Sequence, residues 1–198
     1  KYLDEVDNGC QAIGAINTIV NRNERLIGYN TDYDAVLTVL KKNKVTKNSK
    51  VILIGTGGIA KAYLVALEKI GCKDISVVFH KKNSFTQFRG NINFKLIKWT
   101  DRNSLNGEVI INATPIGMKG SEKECVIDEK VIFNSRIVID SVISNKNTGF
   151  VKKAIAQKKK YINGKEITLE QMIHQFKIYT GLDAPRTKLE KKINKIKV

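Results

Sequence analysis

The segment with the clearest chemical meaning is Gly55-Thr56-Gly57-Gly58-Ile59-Ala60, a G-x-G-x-x-A pattern. It directly follows the apolar run Val51-Ile52-Leu53-Ile54 and opens a helical pattern, the context in which this pattern binds a dinucleotide. Gly55 permits the tight turn, Gly57 lets the backbone approach a pyrophosphate, and small Ala60 lets helix and strand pack closely. The free N–H groups and positive dipole end of the following helix suit phosphate. At the end of the next strand, where NAD sites place an acid for the ribose hydroxyls, the chain reads Phe79-His80-Lys81-Lys82. Lysines there would meet a 2′-phosphate, so the cofactor expected is NADP. Asp32 after Thr31 reads, taken alone, as a first-turn acid of a helix capped by Thr31. His174, alone, reads as a packing or surface residue of a helix.

The rest of the composition narrows the setting. With 198 residues and 42% hydrophobic content, the chain can bury one sizeable core or two small lobes. Its apolar stretches are strand-sized, too short to span a bilayer, so no membrane partner is expected. The start, Lys1-Tyr2-Leu3-Asp4-Glu5, is unlike a signal peptide and lacks Met, which reads as a fragment or processed chain. Cys10, Cys72 and Cys125 are scattered, with no CxxC and no Cys/His cluster. That spacing reads as reduced thiols in the cytoplasm and no metal site. The net charge of +16 comes mostly from lysines spread along the chain, not interleaved with aromatics. It reads as a generic basic surface that attracts anionic ligands, with no nucleic-acid partner.

Several elements must position these groups. Ala12 to Val20 leans towards strand, 21–24 towards a turn, and Leu26 to Tyr29 towards a returning strand. A helix follows from Thr31. Val51 to Ile54 is wholly apolar, as in a strand buried on both faces. The helix Ile59 to Ile70 is stopped by Gly71. Ile75 to Phe79, Asn93 to Ile97, Val109 to Asn112 and Arg136 to Asp140 read as further strands. Thr148 to Lys158, Thr168 to Tyr179 and Arg186 to Ile196 read as helices. Alternating strands and helices predict an α/β fold: a Rossmann-like, mostly parallel sheet with helices on both faces.

Four more segments carry a resemblance. Gly14-Ala15-Ile16-Asn17-Thr18 is similar to a GAVNT motif, and Gly28-Tyr29-Asn30-Thr31-Asp32 to GxNTD. Asn112-Ala113-Thr114-Pro115-Ile116-Gly117-Met118 matches NATPxGM, and Gln171 to Gly181 resembles QxxxQFxxWTG. Together, in this order around the glycine loop, they resemble the shikimate dehydrogenases over essentially the whole chain. The resemblance implies NADPH-dependent, reversible reduction of 3-dehydroshikimate to shikimate, a step of chorismate and aromatic amino acid biosynthesis. It implies that Asn17, Asp32 and Gln171 bind substrate and that Asp32 is half of a Lys/Asp acid–base pair. It implies cofactor contacts from Gly55, Thr56, Gly57, Gly58, Ile59, His80, Lys81, Thr114, Met118, Ser141 and Gly164. The chemistry is coherent, because moving a hydride from a secondary alcohol also requires its hydroxyl proton to leave.

The chain departs from the family pattern in places. The family's lysine and its Ser-x-Ser lie upstream of the GAVNT-like segment, and Lys1 is not assigned that role. Turnover is therefore expected to be impaired. Ile143 stands where the family has Tyr, Ile167 where it has Met, and Phe79-His80-Lys81 where it has Asn-Arg-Thr. The expected organisation is residues 1–31 as a partial substrate lobe, 32–163 as the NADP lobe, and 164–198 as helices returning to the substrate lobe. A monomer or homodimer is expected. The rival readings are an NAD-using quinate/shikimate dehydrogenase and a catalytically dead dinucleotide-binding module.

Overall fold

A computed structural model describes residues 2–80 and 88–195. Among them the chain builds two sheets. The smaller has the order β1-β3-β2, from β1 (Glu5–Val6), β2 (Thr18–Arg22) and β3 (Arg25–Tyr29). The larger has the order β6-β5-β4-β7-β8-β9, with every pairing parallel. Its strands are β4 (Lys50–Ile54), β5 (Asp74–Phe79), β6 (Lys95–Lys98), β7 (Val109–Asn112), β8 (Ile137–Asp140) and β9 (Lys160–Ile162).

The three central strands explain their apolar runs. Val51 and Leu53 of β4, Val109 and Ile111 of β7, and Ile137 and Ile139 of β8 enter one core. Their neighbours Ile52, Ile54, Ile110 and Val138 enter a second core on the other face. A strand with period-two geometry and an unbroken apolar run is thus covered on both sides. The first face is covered by α2 (Thr31–Lys42) and α3 (Gly58–Ile70), through Val36, Leu40, Leu64 and Leu67. The second is covered by α4 (Glu129–Phe133) and α5 (Gly149–Ala156), through Val131, Ile132, Phe150 and Ala154.

The front of the chain differs from the sequence reading. Ala12 and Ile13 belong to a short helix, α1 (Asn8–Ile13), and the strand begins only at Thr18. Asp7 caps that helix by accepting from the Gly9 N–H, and Gly14, left-handed at φ 73°, ends it. A short apolar run does not by itself separate strand from helix; the cap and the stop decide here. The β2–β3 hairpin turns on Asn23 and Glu24, both at positive φ (51° and 65°), the handedness a two-residue hairpin needs. The cap of α2 is Asn30, one residue earlier than expected. Its side-chain Oδ1 accepts from the Asp32 and Tyr33 N–H groups, while the Thr31 hydroxyl turns to Asn17. Asp32 stays in the first turn.

The C-terminal helices also start and stop differently. Asn163 caps α6 (Gly164–Thr180), so the helix begins four residues before the expected Thr168. The last helix, α7, is Arg186–Ile193, with Pro185 before it. The α5 helix ends at Ala156, two residues before the expected Lys158, and β9, a strand the sequence reading lacked, follows.

Helix α6 lies along α2 and is fixed there by polar contacts. His174 Nε2 meets Thr38 Oγ1 at 3.1 Å, a packing role as expected. Gln175 donates to the Thr18 hydroxyl at 3.1 Å, and Arg22 donates to the Ile178 carbonyl at 3.1 Å. The buried Glu170 carboxylate receives Lys42 of α2 at 2.8 Å and both terminal nitrogens of Arg186 of α7. Burial pushes the Glu170 pKa up, but the two cations more than offset it and hold the carboxyl below its ordinary 4.5. The stabilisation is therefore present above pH 4.5 and is lost as pH falls through the lower folded-state value. Glu170→Gln is expected to lower stability by about 1–2 kcal/mol at neutral pH, a modest loss because both cations are half-exposed. Denaturant unfolding at a series of pH values checks this: the gap between parent and variant should narrow below pH 4.5. A gap independent of pH would contradict the assignment.

Candidate active site

The C-terminal ends of the central strands converge on a cavity of about 760 Å³. Its size is that of a ligand site. Each strand end supplies one wall.

The β4 end supplies the glycine loop. Gly55 has φ +116°, and a Cβ there would stand 2.5 Å from the Ala113 carbonyl oxygen. Only glycine lets β4 and the β7 loop come this close. Gly57 caps α3 without a side-chain hydrogen bond, and no acid occupies the first turn of that helix. A Cβ at Gly57 or Gly58 would meet nothing within 4 Å, so open space lies before the helix N-terminus. Free N–H groups, a positive dipole end and open space are what a phosphate requires.

The β7 and β8 ends are latched together. Asn112 is fully buried, and its side-chain N–H groups donate to the Ile116 carbonyl (3.0 Å) and to Asp140 (2.9 Å). Its side-chain oxygen accepts from the Thr114 N–H and the Thr114 hydroxyl. Asp140, also fully buried, further accepts from the Val142 N–H at 3.1 Å and from the Thr148 hydroxyl. Burial pushes the Asp140 pKa up, and bonds from Thr148, Val142 and Asn112 hold it back. With every partner internal, Asp140 anchors two loops. The sequence reading gave it no such role; a carboxylate closing an otherwise apolar strand was the available signal.

The β5 end supplies His80, whose ring stacks on Trp99 at 4.6 Å between centroids and 29° between planes. The Arg102 guanidinium lies 4.1 Å from the Trp99 centroid and donates to the carbonyls of Trp99 and Val126. Trp99, the chain's single tryptophan, lines the cavity and was missed by sequence reasoning. A lone aromatic directly after a sheet strand was the only hint.

Of the residues singled out from sequence, Gly55, Thr56, Gly57, Ile59, His80, Thr114, Met118 and Ser141 line this cavity. Ile143 does so as well. Gly58 sits at the open helix start and is not among the lining residues. Gly164 lies behind the wall, beside a smaller cavity of about 70 Å³ that Asp140 and Thr148 share. Lys81 and Lys82 lie outside the described residues.

Asn17, Asp32 and Gln171 do not line the large cavity. The Asn17 side-chain oxygen accepts from Thr31 N–H (3.0 Å), the Thr31 hydroxyl and the Thr18 hydroxyl. That fixes its amide. Asp32 is half-buried, and burial pushes its pKa above the ordinary 3.8, with a hydrogen bond from Asn17 holding it back. Gln171 is half-buried on α6 and has no hydrogen-bond partner among the described residues.

Comparison with known proteins decides the family. The shikimate dehydrogenase (NADP(+)) of Nitrosopumilus maritimus is 34% identical over 199 residues, covering 96% of this chain and 72% of its own length. The chain belongs to the shikimate dehydrogenase family. No family model matches it. A solved structure described as a shikimate 5-dehydrogenase-like protein superposes with TM-score 0.88 at 30% identity, covering 98% of this chain and 71% of its own. The shikimate 5-dehydrogenase of Listeria monocytogenes, solved in complex with shikimate and NAD, gives TM-score 0.86 at 25% identity over 97% of this chain and 72% of its own. The Rossmann-like α/β fold of the shikimate dehydrogenases is thus the fold of this chain.

Proposed function

We propose that this chain binds NADP in the 760 Å³ cavity and takes part in the reversible, NADPH-dependent reduction of 3-dehydroshikimate to shikimate. The observation that carries the reading is the glycine loop. It combines an acid-free helix start, no side-chain cap and open space before Gly57 and Gly58. Those residues would hold the pyrophosphate, with His80 towards the adenosine end. Thr114, Met118, Ser141 and Gly164 belong to the nicotinamide end. A bound nicotinamide supplies or accepts the hydride. The chain's own residues bind, orient and move the proton: Asn17 and Gln171 would pair substrate hydroxyls, and Asp32 would share the reacting hydroxyl's proton with a lysine. An acid–base pair of this kind is worth roughly 10²–10⁴ in rate.

In this reading residues 32–163 are the NADP lobe, while 1–31 and 164–198 belong to the substrate lobe. A reducing, cytoplasmic setting fits free Cys10, Cys72 and Cys125, and no described helix is long and apolar enough to cross a membrane.

The test is calorimetric titration with NADP and with NAD, with Trp99 fluorescence as a second signal. NADP is expected to bind clearly more tightly than NAD and to perturb the single tryptophan, which lines the cavity. Equal binding would favour the NAD-using reading, which the NAD complex of the Listeria relative makes a concrete alternative. No binding of either cofactor would overturn the glycine-loop assignment.

A further inference from the structure

Tyr63 is a polar residue in an apolar place. It sits on α3, is wholly buried, and packs in the core between that helix and the sheet. Its hydroxyl has one hydrogen-bond partner among the described residues, the Ser141 hydroxyl at 3.2 Å. Ser141 is half-buried, follows β8, and lines the cavity. The link therefore runs from the core through the cavity wall.

The direction of this hydrogen bond follows from burial. If Ser141 donated, the Tyr63 proton would have no acceptor in the core, and an orphaned buried donor costs about 1–3 kcal/mol. If Tyr63 donates, its proton is satisfied and the Ser141 proton is free to turn towards the cavity that Ser141 lines. Burial pushes the phenol far above its ordinary range; the Ser141 hydrogen bond holds it back in part, the charges of Asp140 and Asp32 add to the rise, and the phenol keeps its proton. A phenol that does not ionise can serve as a fixed donor and not as a base. Chained hydroxyls also polarise one another, which strengthens the outer donor.

We propose that Tyr63 is a positioning residue that fixes Ser141 as a hydrogen-bond donor aimed into the cavity, where it recognises a carbonyl oxygen of the bound ligand. The carbonyl is the carboxamide of the nicotinamide; this assignment rests on the reading of the cavity as the NADP site. Tyr63 itself touches no ligand.

The test uses Tyr63→Phe, which keeps the ring and its packing, together with Ser141→Ala and the double variant. Two probes are titrated into each: NADP, and 2′,5′-ADP, which carries the adenosine half without the nicotinamide. Tyr63→Phe is expected to weaken NADP by about twofold to tenfold, the range of one lost hydrogen bond. Its affinity for 2′,5′-ADP should be unchanged. Ser141→Ala should lose as much, and the double variant no more than either. Equal weakening of both probes would assign Tyr63 a purely structural role and overturn the proposal. So would unchanged NADP binding, or losses that add in the double variant. Failure of the parent chain to bind either probe would instead overturn the cavity reading, and this inference with it.

Discussion

Gly164→Ala is expected to destabilise the protein by about 3 kcal/mol or more, beyond the usual range for an added methyl group in a packed site. Gly164 is the first residue of α6, and it is buried against the chain that leaves β8. A Cβ there would stand 2.2 Å from the Val142 carbonyl oxygen, 2.4 Å from its carbon and 2.7 Å from the Ile143 nitrogen. All three are backbone atoms, so no side-chain rotation relieves the clash. Either α6 retreats or residues 142–143 move. The second route pushes a wall of the large cavity inward, because Val142 and Ile143 both line it. Thermal unfolding should show the loss of stability, and calorimetry a weaker affinity for NADP in whatever fraction folds. Parent-like stability with parent-like affinity would show that the close approach of α6 to the β8 loop is not required.

Asp32→Asn is expected to lower shikimate oxidation by about 10²–10⁴-fold, measured in a protein that also carries the family's lysine. The substitution keeps size and shape and removes the charge and the capacity to exchange a proton. NADP affinity should not change, because Asp32 lies outside the lining of the large cavity. The pH profile gives a second readout. Burial pushes the Asp32 pKa above 3.8, and the Asn17 bond only partly reverses this. An acidic limb should be present in the parent's activity and absent from the variant, with the lysine beside Asp32 pulling that limb down from where burial alone would put it. Activity within twofold of the parent would remove Asp32 from the acid–base role.

How much of this was legible beforehand depended on whether a feature is local. Strands β4, β7 and β8 could be read because burial on both faces leaves three or four consecutive apolar residues, and β5 because of its run of β-branched and aromatic residues, which needs no knowledge of neighbours. The glycine loop was readable because its constraints are those of the backbone, and the positive φ of Gly55 and its approach to Ala113 fit that reading. Ala12 and Ile13 were misread, because the same residues suit a strand or a helix until Asp7 and Gly14 set the ends. The α2 cap shifted by one residue because Asn17, far away in sequence, takes the Thr31 hydroxyl. Trp99, Asp140 and Tyr63 were invisible as site residues for one reason. Their meaning lies in partners on other strands and helices: His80, Asn112 and Ser141. The relation between the Asn17, Asp32 and Gln171 set and the large cavity rests on family resemblance, since none of the three lines it.

The six-stranded sheet has a consequence for how the chain reaches this state. All of its pairings are parallel, so no two of its strands can be joined by a tight hairpin. The central strand β4 must meet β7, with Val51 against Val109, after α3, β5 and β6 have been laid down between them. Such distant pairings exact their loop-closure entropy before any ladder bond forms, which places refolding towards the slow, millisecond-to-second regime. Until β7 arrives, one edge of β4 and its apolar face are open to other chains. Concentration during refolding, more than temperature, should then govern the yield of native protein.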